Sequence, residues 1–129
     1  MSNVSIVPRL VVDDGPAAVD FYLNCLNATE QERAHLPDGR MVQAELQVGD
    51  QLLFVTQADG ETSHSPTQIG GSPVLLTLRV PDADAVGQAM VDRGAEVVFP
   101  IDDQFYGRRE GRLRDPSGHL WIISQLLDG

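Results

Sequence analysis

The feature that most constrains this chain is a repeat of itself. Ala18-Val19 returns as Ala85-Val86, Ala28 as Ala95 and Leu46 as Leu113, each after about 67 residues, and a fixed long spacing across separate elements marks an internal duplication. Each copy reads as strand, helix and three further strands. Such a unit leaves one side of its sheet uncovered and cannot bury it alone, so the two copies are expected to pair around a cupped pocket.

The first copy opens with Val4–Val12, β-branched and apolar, as a strand. Asp13-Asp14-Gly15-Pro16 then starts a helix, because proline needs no N–H in the first turn and carboxylates favour the positive end of the helix dipole. Val19, Tyr22, Leu23 and Leu26 follow at helical spacing, and Asn27 is a plausible stop. Thr29–Leu36 reads as a polar edge strand, Met41–Val48 as an alternating strand and Gln51–Gln57 as a strand apolar on both sides. Residues 58–73 are polar and rich in Gly, Ser, Thr and Pro, as a linker would be. The pattern restarts with a strand at Val74–Val80 and a helix capped by Asp82 and ended by Gly94. Strands at Glu96–Pro100, Gly107–Arg114 and Leu120–Leu126 complete it. The expectation is one domain over residues 1–129, with module one at about 4–57 and module two at about 74–127.

Composition narrows the function. The chain is 42% hydrophobic and 22% charged, a globular balance. Its 19 acidic residues against 9 basic give a formal net charge of -10, which repels phosphate backbones and anionic membranes and argues against nucleic acid as a partner. No apolar run approaches the ~18 residues of a membrane span, and the first residues lack the pattern of a signal peptide. Cys25 is the only cysteine and reads as a buried structural thiol rather than a nucleophile. Nothing demands an oxidising compartment, so a cytoplasmic protein is expected. There is no glycine-rich phosphate loop, Cys–His pair or nucleophile elbow, and Asp115-Pro116-Ser117-Gly118 reads as a turn, with Ser117 structural.

Two βαβββ units opening on VVDD…AVDFY resemble the vicinal-oxygen-chelate superfamily, which includes glyoxalase I, extradiol dioxygenases and bleomycin-resistance proteins. The run Asp103-Gln104-Phe105-Tyr106-Gly107-Arg108, with Arg112-Leu113-Arg114-Asp115-Pro116-Ser117-Gly118-His119 and Trp121, is similar to its PhnB-like, glyoxalase-like branch. The resemblance implies an α+β fold in which two tandem modules form a cupped, barrel-like, eight-stranded mixed sheet, and it implies a homodimer. Enzymes of the superfamily hold a divalent metal through four strands. Carried over by position, those places fall on Val7, Leu53, Leu75 and Ile122, none of which has a lone pair to donate. His35, His64 and His119 read as exposed. No metal, no other cofactor and no catalytic residue is therefore expected.

Strand alternation then assigns the lining. If Val7 faces the cup, so do Arg9 and Val11, while Ile6, Leu10 and Val12 pack on the helix. In module two Leu75, Thr77 and Arg79 face the cup. Leu53, Val55, Leu120, Ile122 and Ser124 are expected as floor, and Gln43, Glu45, Arg112 and Arg114 as walls. Phe105 and Tyr106 fall on a rim loop, either stacking on a planar ligand or anchoring the loop, and Arg9 and Arg79 either meet ligand or form ion pairs. This is the make-up of a small-molecule site. The preferred expectation is a metal-free protein that sequesters or carries a planar, partly apolar ligand such as an antibiotic or biosynthetic intermediate. The alternative is an enzyme: a glyoxalase-like lyase or isomerase with an atypical site, or an acid–base catalyst using Glu45.

Overall fold

The computed structural model describes residues 3–128, and their contacts fall into two compact units, Met1–Ser65 and Pro66–Gly129. The first contains β1 (Arg9–Val12), α1 (Gly15–Cys25), β2 (Thr29–His35), β3 (Met41–Val48) and β4 (Gln51–Gln57). The second contains a short α2 (Pro66–Ile69), then β5 (Leu75–Arg79), α3 (Ala83–Asp92), β6 (Glu96–Asp103), β7 (Arg108–Arg114) and β8 (Leu120–Leu126).

The α+β class and the tandem βαβββ order are as expected, but the barrel-like eight-stranded sheet is not formed. The strands make two separate four-stranded sheets, ordered β1-β4-β3-β2 and β5-β8-β7-β6. In each, the first strand runs parallel to the last of its own unit and the other pairings are antiparallel. The ladders are therefore completed inside each module, and neither sheet closes on itself or continues into the other.

Helices α1 and α3 start by the same device. The Asp14 carboxylate accepts from the Ala17 N–H at 3.1 Å, and Asp82 accepts from Ala85 at 3.1 Å. A second contact ties each helix to the last strand of its sheet. The side-chain oxygen of Gln57 accepts from the Gly15 N–H at 2.9 Å, and that of Gln125 accepts from the Ala83 N–H at 2.8 Å. Two N–H groups left over at each helix start are thus satisfied. Each helix is followed by a residue in the left-handed region, Asn27 at φ 53° and Gly94 at φ 103°. α1 has 11 residues and α3 has 10. The copies therefore align at the expected spacing in Leu46 and Leu113 and at the stops Asn27 and Gly94 but one residue further apart at the N-caps, which pairs Ala17, not Ala18, with Ala85.

One side of each sheet is covered by its helix. In module one Leu10, Val12, Ala44, Leu46, Leu53 and Val55 are buried there with Val19 and Tyr22 of α1. In module two Leu113, Trp121 and Ile123 are buried with Ala83 and Met90 of α3. Three local expectations are corrected. β1 begins only at Arg9, after Pro8, which has no N–H for a ladder, and Ile6 is 92% exposed rather than packed on the helix. β6 runs past Pro100 to Asp103, carried by register shifts between Val97 and Asp102. The region expected as linker holds α2.

Candidate functional site

The sheet sides away from the helices carry the polar residues. In module one, strand register sets Arg9, Phe54 and Glu45 in one row and Val11, Thr56 and Gln43 in the next. The Arg9 guanidinium lies 5.0 Å over the Phe54 ring and donates to Gln43 and to Thr56 Oγ1, the latter at 3.2 Å. Arg9, Val11, Gln43 and Glu45 thus share a face. Leu53 and Val55 do not. Leu53 is 5% exposed on the helix side and Val55 is fully buried, while Phe54 and Thr56 take the open positions. The strand QLLFVTQ is apolar in both phases, so its pattern cannot say which set turns inward.

In module two the rows are Leu75, Leu120 and Arg114; Thr77, Ile122, Arg112 and Phe99; and Arg79, Ser124 and Glu110. Leu75, Thr77 and Arg79 are exposed. A cavity of about 280 Å³ lies over the sheet, lined by Phe99, Gln104, Tyr106, Glu110, Gly111, Arg112 and Ile122. Of the expected residues it gathers Tyr106, Arg112 and Ile122. Phe105 lies outside the lining, 99% exposed, its ring edge-on to Tyr106 at 5.1 Å between centroids.

The cavity's electrostatics centre on two residues. The Tyr106 hydroxyl donates to the Glu110 carboxylate. That bond, the Ser124 hydroxyl, and the charges of Arg108 and Arg79 hold the Glu110 carboxyl below its usual range, against the burial that would raise it. The same bond, reinforced by burial and by the charge of Glu110, pushes the Tyr106 phenol up. Gln104 donates to the Glu110 backbone carbonyl at 3.1 Å and braces the rim. The Arg112 guanidinium lies 5.1 Å over the Phe99 ring, and its Nε is buried with no hydrogen-bond partner among the described residues. Arg114 meets Glu96 at 3.7 Å.

Phe99, Gln104 and Glu110 were not anticipated from the sequence. Glu110 was within reach, because it alternates with Arg108, Arg112 and Arg114 along one strand. Phe99 was not, because it joins the site through a register shift. The Asp115 turn is structural, as read: its buried carboxylate accepts from the backbone N–H groups of Ser117 and His119, both at 3.0 Å, and from Trp121 Nε1 at 2.9 Å.

The residues do not fit the divalent metal that the enzymes of the resemblance hold. Val7 precedes β1, Leu53 faces the helix, and Leu75 and Ile122 bring only aliphatic carbon. Among the described residues no three His, Cys, Asp or Glu side chains come together to hold an ion.

The chain belongs to the Glyoxalase/Bleomycin resistance protein/Dioxygenase superfamily, whose pattern matches residues 5–123. It is 39% identical over 125 residues to uncharacterised proteins of Mycobacterium tuberculosis and Mycobacterium bovis, covering 94% of this chain and 74% and 82% of theirs. Among solved structures it is similar to protein PA1353 of Pseudomonas aeruginosa, with a TM-score of 0.80, 19% identity, and coverage of 98% of this chain and 100% of that one. It is also similar to TioX of Micromonospora sp. ML1, with a TM-score of 0.73, 24% identity, and coverage of 97% and 100%. At these identities the two structures speak for the fold. No helix among the described residues is long and apolar enough to cross a membrane.

Proposed function

We propose that the chain is a metal-free small-molecule-binding protein, and that its ligand occupies the cavity on the open side of the module-two sheet. The observation that carries this reading is the lining: Phe99, Tyr106 and Ile122 supply apolar surface, and Arg112 adds a guanidinium that makes no salt bridge among the described residues. An apolar cavity with a few convergent polar groups is how a protein holds a small ligand. A planar, partly apolar molecule suits it, since two of the walls are aromatic rings. The role is to sequester or carry a compound such as an antibiotic or a natural-product intermediate. The motif from Asp103 to Trp121 supports placement in the PhnB-like branch. The resemblance supports a homodimer, and the single buried Cys25 is in keeping with the cytoplasm.

The test is a thermal-shift screen of aromatic and peptide natural products against the full chain, because a ligand bound to the folded state raises stability by mass action. Saturable shifts without turnover are the expected result. A panel in which no compound moves the midpoint overturns the binding reading, and one stoichiometric metal per chain by elemental analysis overturns its metal-free part.

A further inference from the structure

Arginine pairing on the two sides of the module-two sheet differs sharply. All nine basic residues of the chain are arginines. Arg109, on the helix side, is saturated: it contacts Asp84 at 3.0 Å and Asp103 at 2.9 Å, with Asp102 at 3.9 Å. On the open side stand Arg79, Arg108, Arg112 and Arg114, of which only Arg114 forms a salt bridge among the described residues. In a chain of net charge -10, acidic side chains are not scarce, so three guanidinium groups without a salt bridge on one face stand out. Arg112 is the sharpest case. A buried donor left unpaired is destabilising, and such an atom in a native structure calls for an explanation.

We propose that the module-two cavity takes an aromatic carboxylate, its two oxygens on the Arg112 guanidinium and its ring against Phe99 and Tyr106. This rests on the binding reading above and names the ligand class. A guanidinium is a planar fork matched to the two oxygens of a carboxylate. Arg112 lines the cavity and makes no salt bridge among the described residues, so a carboxylate would meet an unpaired fork; its Nε has no accessible surface, so that contact falls to the rest of the fork. Arg79 and Arg108 raise the local positive potential. Glu110 is the one carboxylate in the lining, and its charge is offset by hydrogen bonds from Tyr106 and Ser124 and by the nearby charges of Arg108 and Arg79. Ile122 offers a flat apolar floor, and about 280 Å³ accommodates a one- or two-ring acid.

Isothermal titration of the full chain with 2-naphthoate, 2-naphthamide and 2-naphthylmethylamine separates charge from shape. The acid should bind at least tenfold more tightly than the amide at low salt, and the amine more weakly still. Raising salt should narrow the gap between acid and amide, since part of it is screened. Arg112→Gln should abolish the preference for the acid, and Arg112→Lys, which keeps the charge but loses the fork, should reduce it. Arg93→Gln, an equal charge change at the exposed end of α3, should leave it intact. Circular dichroism checks that each variant is folded, and the lysine variant keeps the test open if the glutamine variant is not. Equal binding of the acid and amide, tighter binding of the amine, or an unchanged preference in both folded Arg112 variants overturns the carboxylate proposal while the small-molecule reading stands. Absence of 2-naphthoate binding overturns it too. The broader reading falls with it only if the natural-product screen also yields no ligand.

Discussion

Glu45 and Arg112 occupy the same place in their two modules, one strand in from the sheet edge and opposite Phe54 and Ile122 respectively. Both modules keep an apolar core against the helix, while the charge at this open-side position is opposite. Both modules also place an arginine over a phenylalanine, but Arg9 sits over Phe54 between β1 and β4, and Arg112 over Phe99 between β7 and β6. Arg9 further donates to Gln43 and Thr56, whereas Arg112 keeps a bare Nε. The side against the helix is bound by close packing and cannot drift. On the open side Arg9 is paired within its own module, while Arg112 keeps one buried donor without a partner among the described residues.

The strongest way to break this comparison is at the turn before the last strand, where the copies differ most. Module one uses Gly49-Asp50, with Gly49 at φ 57°. Module two uses the buried Asp115, 4% exposed, holding two backbone N–H groups and the Trp121 indole. Asp115→Ala strands all three donors and should cost about 3 kcal/mol, given about 1–3 kcal/mol for each buried donor left unpaired and partial rescue by water. Asp50→Ala, on an exposed turn, should stay within about 0.5 kcal/mol. Chemical denaturation of both variants reads the difference. Equal midpoints would mean that the Asp115 network is not what holds the β7–β8 turn.

A somewhat smaller effect is expected within the covered sides. Ala44 is fully buried in β3, and its counterpart in β7 is Gly111. A methyl group added at Gly111 would lie 2.6 Å from the backbone nitrogen of Ile101 and 2.7 Å from its Cα, because the register shift in β6 brings that backbone close. Gly111→Ala should therefore destabilise by about 2 kcal/mol through overpacking, although alanine is the residue that module one uses. A melting temperature equal to wild type would show that β6 can move away.

That register shift also marks where sequence reasoning runs out. Local chemistry was legible: the helix start at Asp13-Asp14-Gly15-Pro16, the Asp82 cap, the stops at Asn27 and Gly94, the Asp115 turn and the alternation of β3 each depend on residues close in the chain. What depends on distant partners was not. Which ladders join which strands is unstated in any local pattern, so two open sheets were read as one barrel-like sheet. The phase of QLLFVTQ was hidden because both faces are apolar, which placed Leu53 where Phe54 belongs. Pro100 reads as a strand end, yet β6 continues past it and Phe99 joins the cavity. Nothing near Gln57 or Gln125 in the chain marks their partners, and only the fold shows them bonded to helix starts.

The smallest expected effect concerns pH and the Tyr106–Glu110 pair; in module one the place of Glu110 is held by Gln43, which lies opposite Thr56 and accepts from Arg9 instead. The Glu110 carboxyl is held below its ordinary value of 4.5 and the Tyr106 phenol above its ordinary 10.0. A lowered carboxyl binds fewer protons folded than unfolded, so its stabilisation is present above 4.5 and is lost as pH falls through the lower folded value. A raised phenol does the reverse: its stabilisation is present below 10.0 and is lost as pH rises through the higher folded value. Tyr106→Phe removes the shared hydrogen bond and so the largest cause of both shifts. The stability difference between wild type and variant should be greatest between the two ordinary values and shrink at both acid and alkaline extremes. Solvent screening at this rim keeps it small. Denaturation midpoints of the two proteins across pH measure it, and a difference that stays flat at both ends would show that the bond does not link the two titrations.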